Sequence, residues 1–102
     1  MKYLYKHKNE VSTAITVNEE LKKVSIVNYT KNPLYRAFGI NEHPTFEDFE
    51  NFLESRCFPK TVDELGLHLQ ELGLTDYDPY KIIEKTNGKL GGDSFSLEIV
   101  ND

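Results

Sequence analysis

The apolar residues of this chain change their period twice, and nothing else in the sequence restricts the fold so much. Within residues 2–29 the strand-like runs alternate, most clearly over 11–17; over 46–86 apolar residues recur at every third or fourth position, and over 94–100 at every second again. Alternation buries one face of a strand, and three-four spacing buries one stripe of a helix. The order that follows is β-β-β-α-α-α-β. We expect a single α+β domain over residues 1–102, with an antiparallel sheet of about four strands and helices packed on one of its faces. A chain of 102 residues has the size to fold alone on one core.

The first three strands are separated by turn residues. Tyr3-Leu4-Tyr5 begins a β-prone run that Lys8-Asn9-Glu10 breaks. Val11, Thr13, Ile15 and Val17 then alternate with Ser12, Ala14 and Thr16, and Asn18-Glu19-Glu20 makes the next turn. Val24, Ile26 and Asn28 share one face of the third strand, with Ser25 and Val27 on the other. Together these segments predict an antiparallel meander. The last strand, Ser94–Val100, alternates Phe95, Leu97 and Ile99 with polar residues and is expected to pair with the meander.

Punctuation in the helical region is explicit. Asn32-Pro33 is placed to open a short helical turn, Leu34 to Phe38, closed by Gly39. Thr45 with Asp48 three residues on resembles a capping box, and Phe46, Phe49, Phe52 and Leu53 then share a stripe. Pro59 ends that helix. Thr61 with Glu64 predicts a second capping box, opening a helix on Val62, Leu65, Leu69 and Leu72 that Gly73 closes. Asp78-Pro79 starts a third helix through Ile82 and Ile83, which Asn87-Gly88 ends.

Charge is divided by position. Up to Arg36 seven Lys/Arg face three Asp/Glu, a balance of +4; from Ala37 onward five face fourteen, a balance of −9. Such a division speaks to partners and to steering of association, not to fold. A net charge of −5 is the wrong sign for contact with phosphates, so direct nucleic-acid binding is not expected. No apolar run approaches the length of a membrane span, and Lys2, Lys6 and Lys8 interrupt any signal-peptide core. The single cysteine, Cys57, has no internal disulfide partner, which fits a cytoplasmic location.

Catalytic patterns are weak. Cys57 falls at a helix end, where the dipole disfavours a thiolate, and Arg56 beside it should point away; a packed structural cysteine is the expectation. His7, His43 and His68 lack zinc-type spacing. Glu64, His68 and Glu71 lie on neighbouring turns, but without a second ligand pair they read as a solvated helix face, so no metal or cofactor is expected. Asp48, Glu64 and Asp78 have capping positions that account for them without acid–base chemistry. Gly88-Lys89-Leu90-Gly91-Gly92 precedes a strand instead of opening a helix, so it reads as a turn and not a phosphate loop. The chain reads as non-enzymatic.

The strongest functional signal is then the carboxylate surface. Glu47, Glu50 and Glu54 fall at i, i+3 and i+7 of the first helix, opposite Phe49 and Phe52. Glu71 and Asp76 extend that surface if the second helix packs antiparallel alongside. These five residues are the candidate partner-binding set, for a protein partner with a basic surface.

One resemblance bears on this reading. Phe49-x-x-Phe52-Leu53-x-x-Arg56-x-Phe58-Pro59, then Leu65-x-x-x-Leu69-x-x-Leu72 and Ile83-x-Lys85-x-x-Gly88, resembles a pattern in small uncharacterised proteins of Gram-positive bacteria and their mobile elements. It is also similar to the segment preceding the kinase core in some HipA-like kinases, and His7-Lys8-Asn9-Glu10-Val11 is compatible with the same pattern. Near the C-terminus, where such proteins often carry an aromatic pair, this chain has Phe95-Ser96-Leu97. The chain stops where a kinase core would begin, so the resemblance implies a stand-alone accessory module and carries over no active site. Two functions are expected: from the small size, the acidic helical surface and this resemblance together, a phage or mobile-element inhibitor of a host nucleic-acid-binding defence enzyme, of the anti-CRISPR type; or a separate partner of a HipA-like kinase in a toxin–antitoxin system.

Overall fold

The computed structural model describes residues 1–100. Strands β1 (Lys2–His7), β2 (Glu10–Asn18) and β3 (Lys23–Asn28) are followed by helices α1 (Phe46–Ser55), α2 (Leu65–Glu71) and α3 (Pro79–Thr86), and then by β4 (Phe95–Val100). The sheet order is β3-β2-β1-β4, antiparallel throughout, so β4 closes beside β1 as the alternation of Phe95, Leu97 and Ile99 requires. The helices cover one face. Tyr3, Tyr5, Ile15, Val17 and Leu97 of that face form one cluster with Phe49, Phe52, Leu53, Leu69, Ile82 and Ile83. Each such large side chain taken fully out of water contributes about 1.5–3 kcal/mol before the entropic cost of ordering it.

Local chemistry sets each connection. Lys8 and Asn9 both have positive φ, 50° and 68°, which makes the β1–β2 link a two-residue hairpin whose twist matches the strands. Within that hairpin Tyr5 faces Thr13 while Lys6 faces Val11, so Ser12 is a bulge. The bulge shifts the phase by one residue and moves Val11 onto the face of Lys6, away from Thr13, Ile15 and Val17. Strict alternation from Val11 to Val17 is therefore broken at its first member.

Two helical segments differ from expectation and one cap agrees with it. Thr45 and Asp48 form the full capping box, the Thr45 hydroxyl accepting from the Asp48 N–H at 3.0 Å and the Asp48 carboxylate accepting from the Thr45 N–H at 2.9 Å. Thr61 and Glu64 do not. Glu64 itself sits at the N-cap of α2 with φ 57°, its side chain makes no capping bond, and the helix begins at Leu65. Pro59 accepts the Val62 N–H at 3.0 Å, and that turn uses the residues a longer helix would need. After Asn32, whose side chain accepts from the Leu34 N–H at 3.0 Å, the helical turn covers only Pro33–Tyr35, shorter than Leu34 to Phe38. Gly73, at φ 74°, follows α2 as its left-handed closing residue, whereas Gly39, at φ 58°, lies in a separate turn after the short helical turn has ended at Arg36.

Asn87 ends α3 in the left-handed region, and Gly88 follows at φ 62°. The Asn87 carbonyl accepts the Leu97 N–H at 2.7 Å, so the end of α3 is tied to β4. A β-carbon on Gly88 would lie 2.6 Å from that of Leu97; only glycine allows this approach.

Candidate functional site

Helix α1 has two faces with different tasks. Phe49, Phe52 and Leu53 enter the core, where Phe49 meets Tyr3 (ring centroids 5.2 Å apart) and Phe52 meets Tyr5 edge-on at 5.0 Å. Glu47, Glu50 and Glu54 are exposed on the other side. Asp48, although on the same helix, is committed to the N-cap: the Thr45 backbone N–H, then its hydroxyl, hold the carboxyl below the usual range. Asp78 is likewise committed, accepting the Tyr80 N–H at 3.0 Å.

The outer carboxylates have no such internal use. Among the described residues the ion pairs are Lys6–Glu98 at 2.8 Å and Arg56–Asp93 at 3.0 Å. Neither involves Glu47, Glu50, Glu54, Glu71 or Asp76. Charges left unpaired and hydrated in this way are available to an external cation.

An open groove of about 480 Å³ lies beside Glu50. Phe46 and Glu50 of α1, Glu19 and Lys22 of the β2–β3 turn, and Tyr80 and Glu84 of α3 line it, with Asp78 and Lys81 at its α3 side. Burial raises the Tyr80 phenol above its ordinary value, and Glu50, Glu19 and Asp78 add to that in turn. Carboxylates of Glu19, Glu50, Asp78 and Glu84 therefore surround Tyr80, with Lys22 and Lys81 as cations in the same lining. The ammonium of Lys22 already stands 5.0 Å from the centre of the Phe46 ring, a cation on an aromatic face.

The five candidate residues are not brought together as one set. All five are exposed, but the helix packed on α1 beside this groove is α3, so Glu50 keeps company with Glu19, Asp78 and Glu84. Glu71 ends α2 and Asp76 lies in the connection to α3, outside the groove. Sequence reasoning missed Glu19 and Glu84. In the sequence Glu19 reads only as a turn residue, and α3 is marked only by its apolar positions and its caps.

The candidates for chemistry have structural partners. Cys57 is buried, its thiol donates to the Leu53 carbonyl at 3.3 Å, and burial, reinforced by Glu54, pushes it up to about 11. It is a thiol at neutral pH. His68 is half-buried with its ring 5.4 Å from that of Phe58, which departs from a fully solvated helix face. Among the described residues no group of three or more His, Cys, Asp or Glu is placed to hold a metal ion. No described helix is long and apolar enough to cross a membrane. Arg56, expected only to point away from Cys57, is buried and reaches the Gly88 carbonyl from Nε at 3.0 Å and Nη2 at 2.7 Å, and Asp93 at 3.0 Å. No protein-family model, curated protein or solved structure matches this chain.

Proposed function

We propose that the protein is a non-enzymatic binding module that docks the acidic face of α1, with the groove beside it, onto a basic surface of a protein partner. The observation that supports this is the contrast within one helix. Asp48 is held by its cap, whereas Glu47, Glu50 and Glu54 are exposed and unpaired among the described residues. Unpaired carboxylates add little to folding but steer an oppositely charged partner and fix its register. In the finer form of this reading the partner is a nucleic-acid-binding defence enzyme of a host cell, whose phosphate-binding surface the carboxylates would occupy. That supplies a reason for an acidic face on a small module of a phage or mobile element.

A second reading, a separate partner of a HipA-like kinase in a toxin–antitoxin system, draws on Arg56 and Gly88. Both belong to the pattern that resembles those kinases, and they are in direct contact. Most other positions of that pattern, including Phe49, Phe52, Leu53, Leu69 and Ile83, are core residues, so the pattern speaks for a shared fold more than for a shared partner.

The test is carbodiimide cross-linking in cells of the native host, which joins carboxylates to lysines in direct contact, followed by mass spectrometry. The reading expects one partner joined through Glu47, Glu50 or Glu54 to lysines of a nucleic-acid-binding protein. Links to a HipA-like kinase favour the second reading. Links confined to carboxylates outside α1 and the groove refute the docking face.

A further inference from the structure

The exposed apolar side chains among the described residues are concentrated in one stretch of the chain. Of the eight large hydrophobic residues left exposed, Leu21, Val27, Tyr29, Leu34, Tyr35 and Ile40 all lie between positions 21 and 40. Leu34 and Ile40 are each 84% exposed, far beyond what a residue at the margin of a core shows. The same stretch, Leu21 to Asn41, carries Lys22, Lys23, Lys31 and Arg36 and no Asp or Glu. The acidic module therefore has a basic and apolar region of its own.

That stretch begins with an open sheet edge. In the order β3-β2-β1-β4, β3 is terminal. Its register with β2, together with the Tyr29 N–H donated to the Ser12 carbonyl at 2.8 Å, fixes which backbone groups face inward. Lys23, Ser25, Val27 and Tyr29 address β2, so Val24, Ile26 and Asn28 turn their N–H and C=O groups outward. No other backbone or side chain among the described residues bonds these outward groups. The opposite edge is treated differently: the Leu97 N–H is taken by Asn87 and the Phe95 carbonyl by Arg56. Val24 and Ile26 are only half-buried, because the sheet stops beside them. One more strand would complete their burial.

We infer that the β3 edge is a second docking surface, which takes an extended, acidic and apolar segment of another protein as a fifth strand. Main-chain bonds to Val24, Ile26 and Asn28 supply the pairing, and side chains of the added strand pack against Val24, Ile26 and Val27. Charge decides between occupants. A second copy would set this same stretch, with Lys22, Lys23, Lys31 and Arg36 and no Asp or Glu, against itself. Like charges so placed oppose self-pairing. A segment bearing Glu or Asp meets these basic residues favourably and supplies the carboxylates that this stretch lacks.

The test uses the full chain, labelled with nitrogen-15, and two synthetic seven-residue probes. Both alternate Val and Ile with charged residues, one with Glu and one with Lys in their place. The amides of Val24, Ile26 and Asn28 are expected to exchange at least tenfold more slowly with the Glu probe, and the effect should weaken as salt rises. Ile26→Pro removes an outward N–H without touching the ladder to β2 and should abolish the protection. Because proline also restrains the strand itself, the double variant K22E/K23E provides a second readout: it should exchange its preference from the Glu probe to the Lys probe. No protection at the three amides with either probe overturns the proposal, as does equal protection by both. Protection that appears without probe as protein concentration rises would identify a second copy as the occupant and overturn it too. None of these outcomes depends on Glu47, Glu50 or Glu54, so the acidic face and the β3 edge stand or fall separately.

Discussion

The guanidinium of Arg56 donates twice to the carbonyl of Gly88, from Nε at 3.0 Å and from Nη2 at 2.7 Å, joining residues 32 apart in the chain. The same side chain reaches the Asp93 carboxylate at 3.0 Å and the Phe95 carbonyl at 3.3 Å, and lies over the Tyr5 and Phe95 rings at 5.7 and 5.9 Å. One arginine thus ties the end of α1 to the end of α3 and to the entry of β4. The residue is buried while Asp93 is about a third exposed. The two halves of the pair should therefore respond differently to substitution.

Arg56→Ala strips two carbonyls of their donor and leaves a void beside two rings, and should cost about 3 kcal/mol or more. Asp93→Asn keeps those carbonyls satisfied and removes only a solvent-screened attraction, which should cost less than about 1 kcal/mol. Equilibrium denaturation of both variants checks the ordering. Equal losses would show that Asp93, and not the backbone carbonyls, dominates the junction.

Gly88→Ala should destabilise by about 2–4 kcal/mol, adding a left-handed penalty to a clash with Leu97 that the core cannot absorb. The same substitution at Gly73, also left-handed but with open space around it, should cost only the conformational part, about 1–2 kcal/mol. Urea midpoints of the two variants separate the contributions.

Stability should fall on the acid side. Asp93 is held low chiefly by the Arg56 hydrogen bond, and Asp48 by the Thr45 N–H. Both carboxyls are depressed in the fold, so their contribution is fully present above the unfolded value, about 3.9, and is lost as pH falls through the lower folded values. Asp93→Asn should flatten part of that acid limb by lowering stability at neutral pH, within the loss of less than about 1 kcal/mol given above, while leaving stability at low pH nearly unchanged. A profile with an unaltered acid limb would contradict the assignment.

Cys57 should resist modification. With its thiol raised to about 11 and buried, alkylation in the native state should follow global or local opening and not the thiolate fraction of a free cysteine. Labelling kinetics with iodoacetamide in the presence and absence of denaturant measure this. Rapid labelling of the native protein at neutral pH would contradict the packed environment.

Those features show where the sequence was readable. Boundaries set by one residue's own chemistry were legible: Thr45 with Asp48, Gly73, and Asp78-Pro79 with Asn87-Gly88 lie where their types predict. The joining of β4 to the meander followed from its alternation. What escaped depended on distant partners. Glu64 has the spacing of a capping box with Thr61, yet a preceding turn at Pro59 leaves the chain in the left-handed region there. Val11 fits the alternation, but the bulge at Ser12 lies in the pairing and not in the residue types. Arg56 reads as a surface cation at a helix end, since nothing local foretells that Gly88 and Phe95 will present carbonyls to it. At the candidate site, the exposure of Glu47, Glu50 and Glu54 was legible from helical spacing, whereas their association with Glu19 and Glu84 required the packing of α3 and the β2–β3 turn.

The docking face of α1 is tested most directly by association kinetics. With the partner identified by cross-linking, the rate constant for binding is measured in low salt for the native chain and for the variant E47K/E50K/E54K. Reversing three exposed, unpaired charges should leave the melting temperature nearly unchanged. It should also slow association by about 10–1000-fold, with the difference shrinking as ionic strength rises. Association at the native rate in low salt, by a variant that melts normally, would contradict the docking face and leave those glutamates as a solvated helix surface.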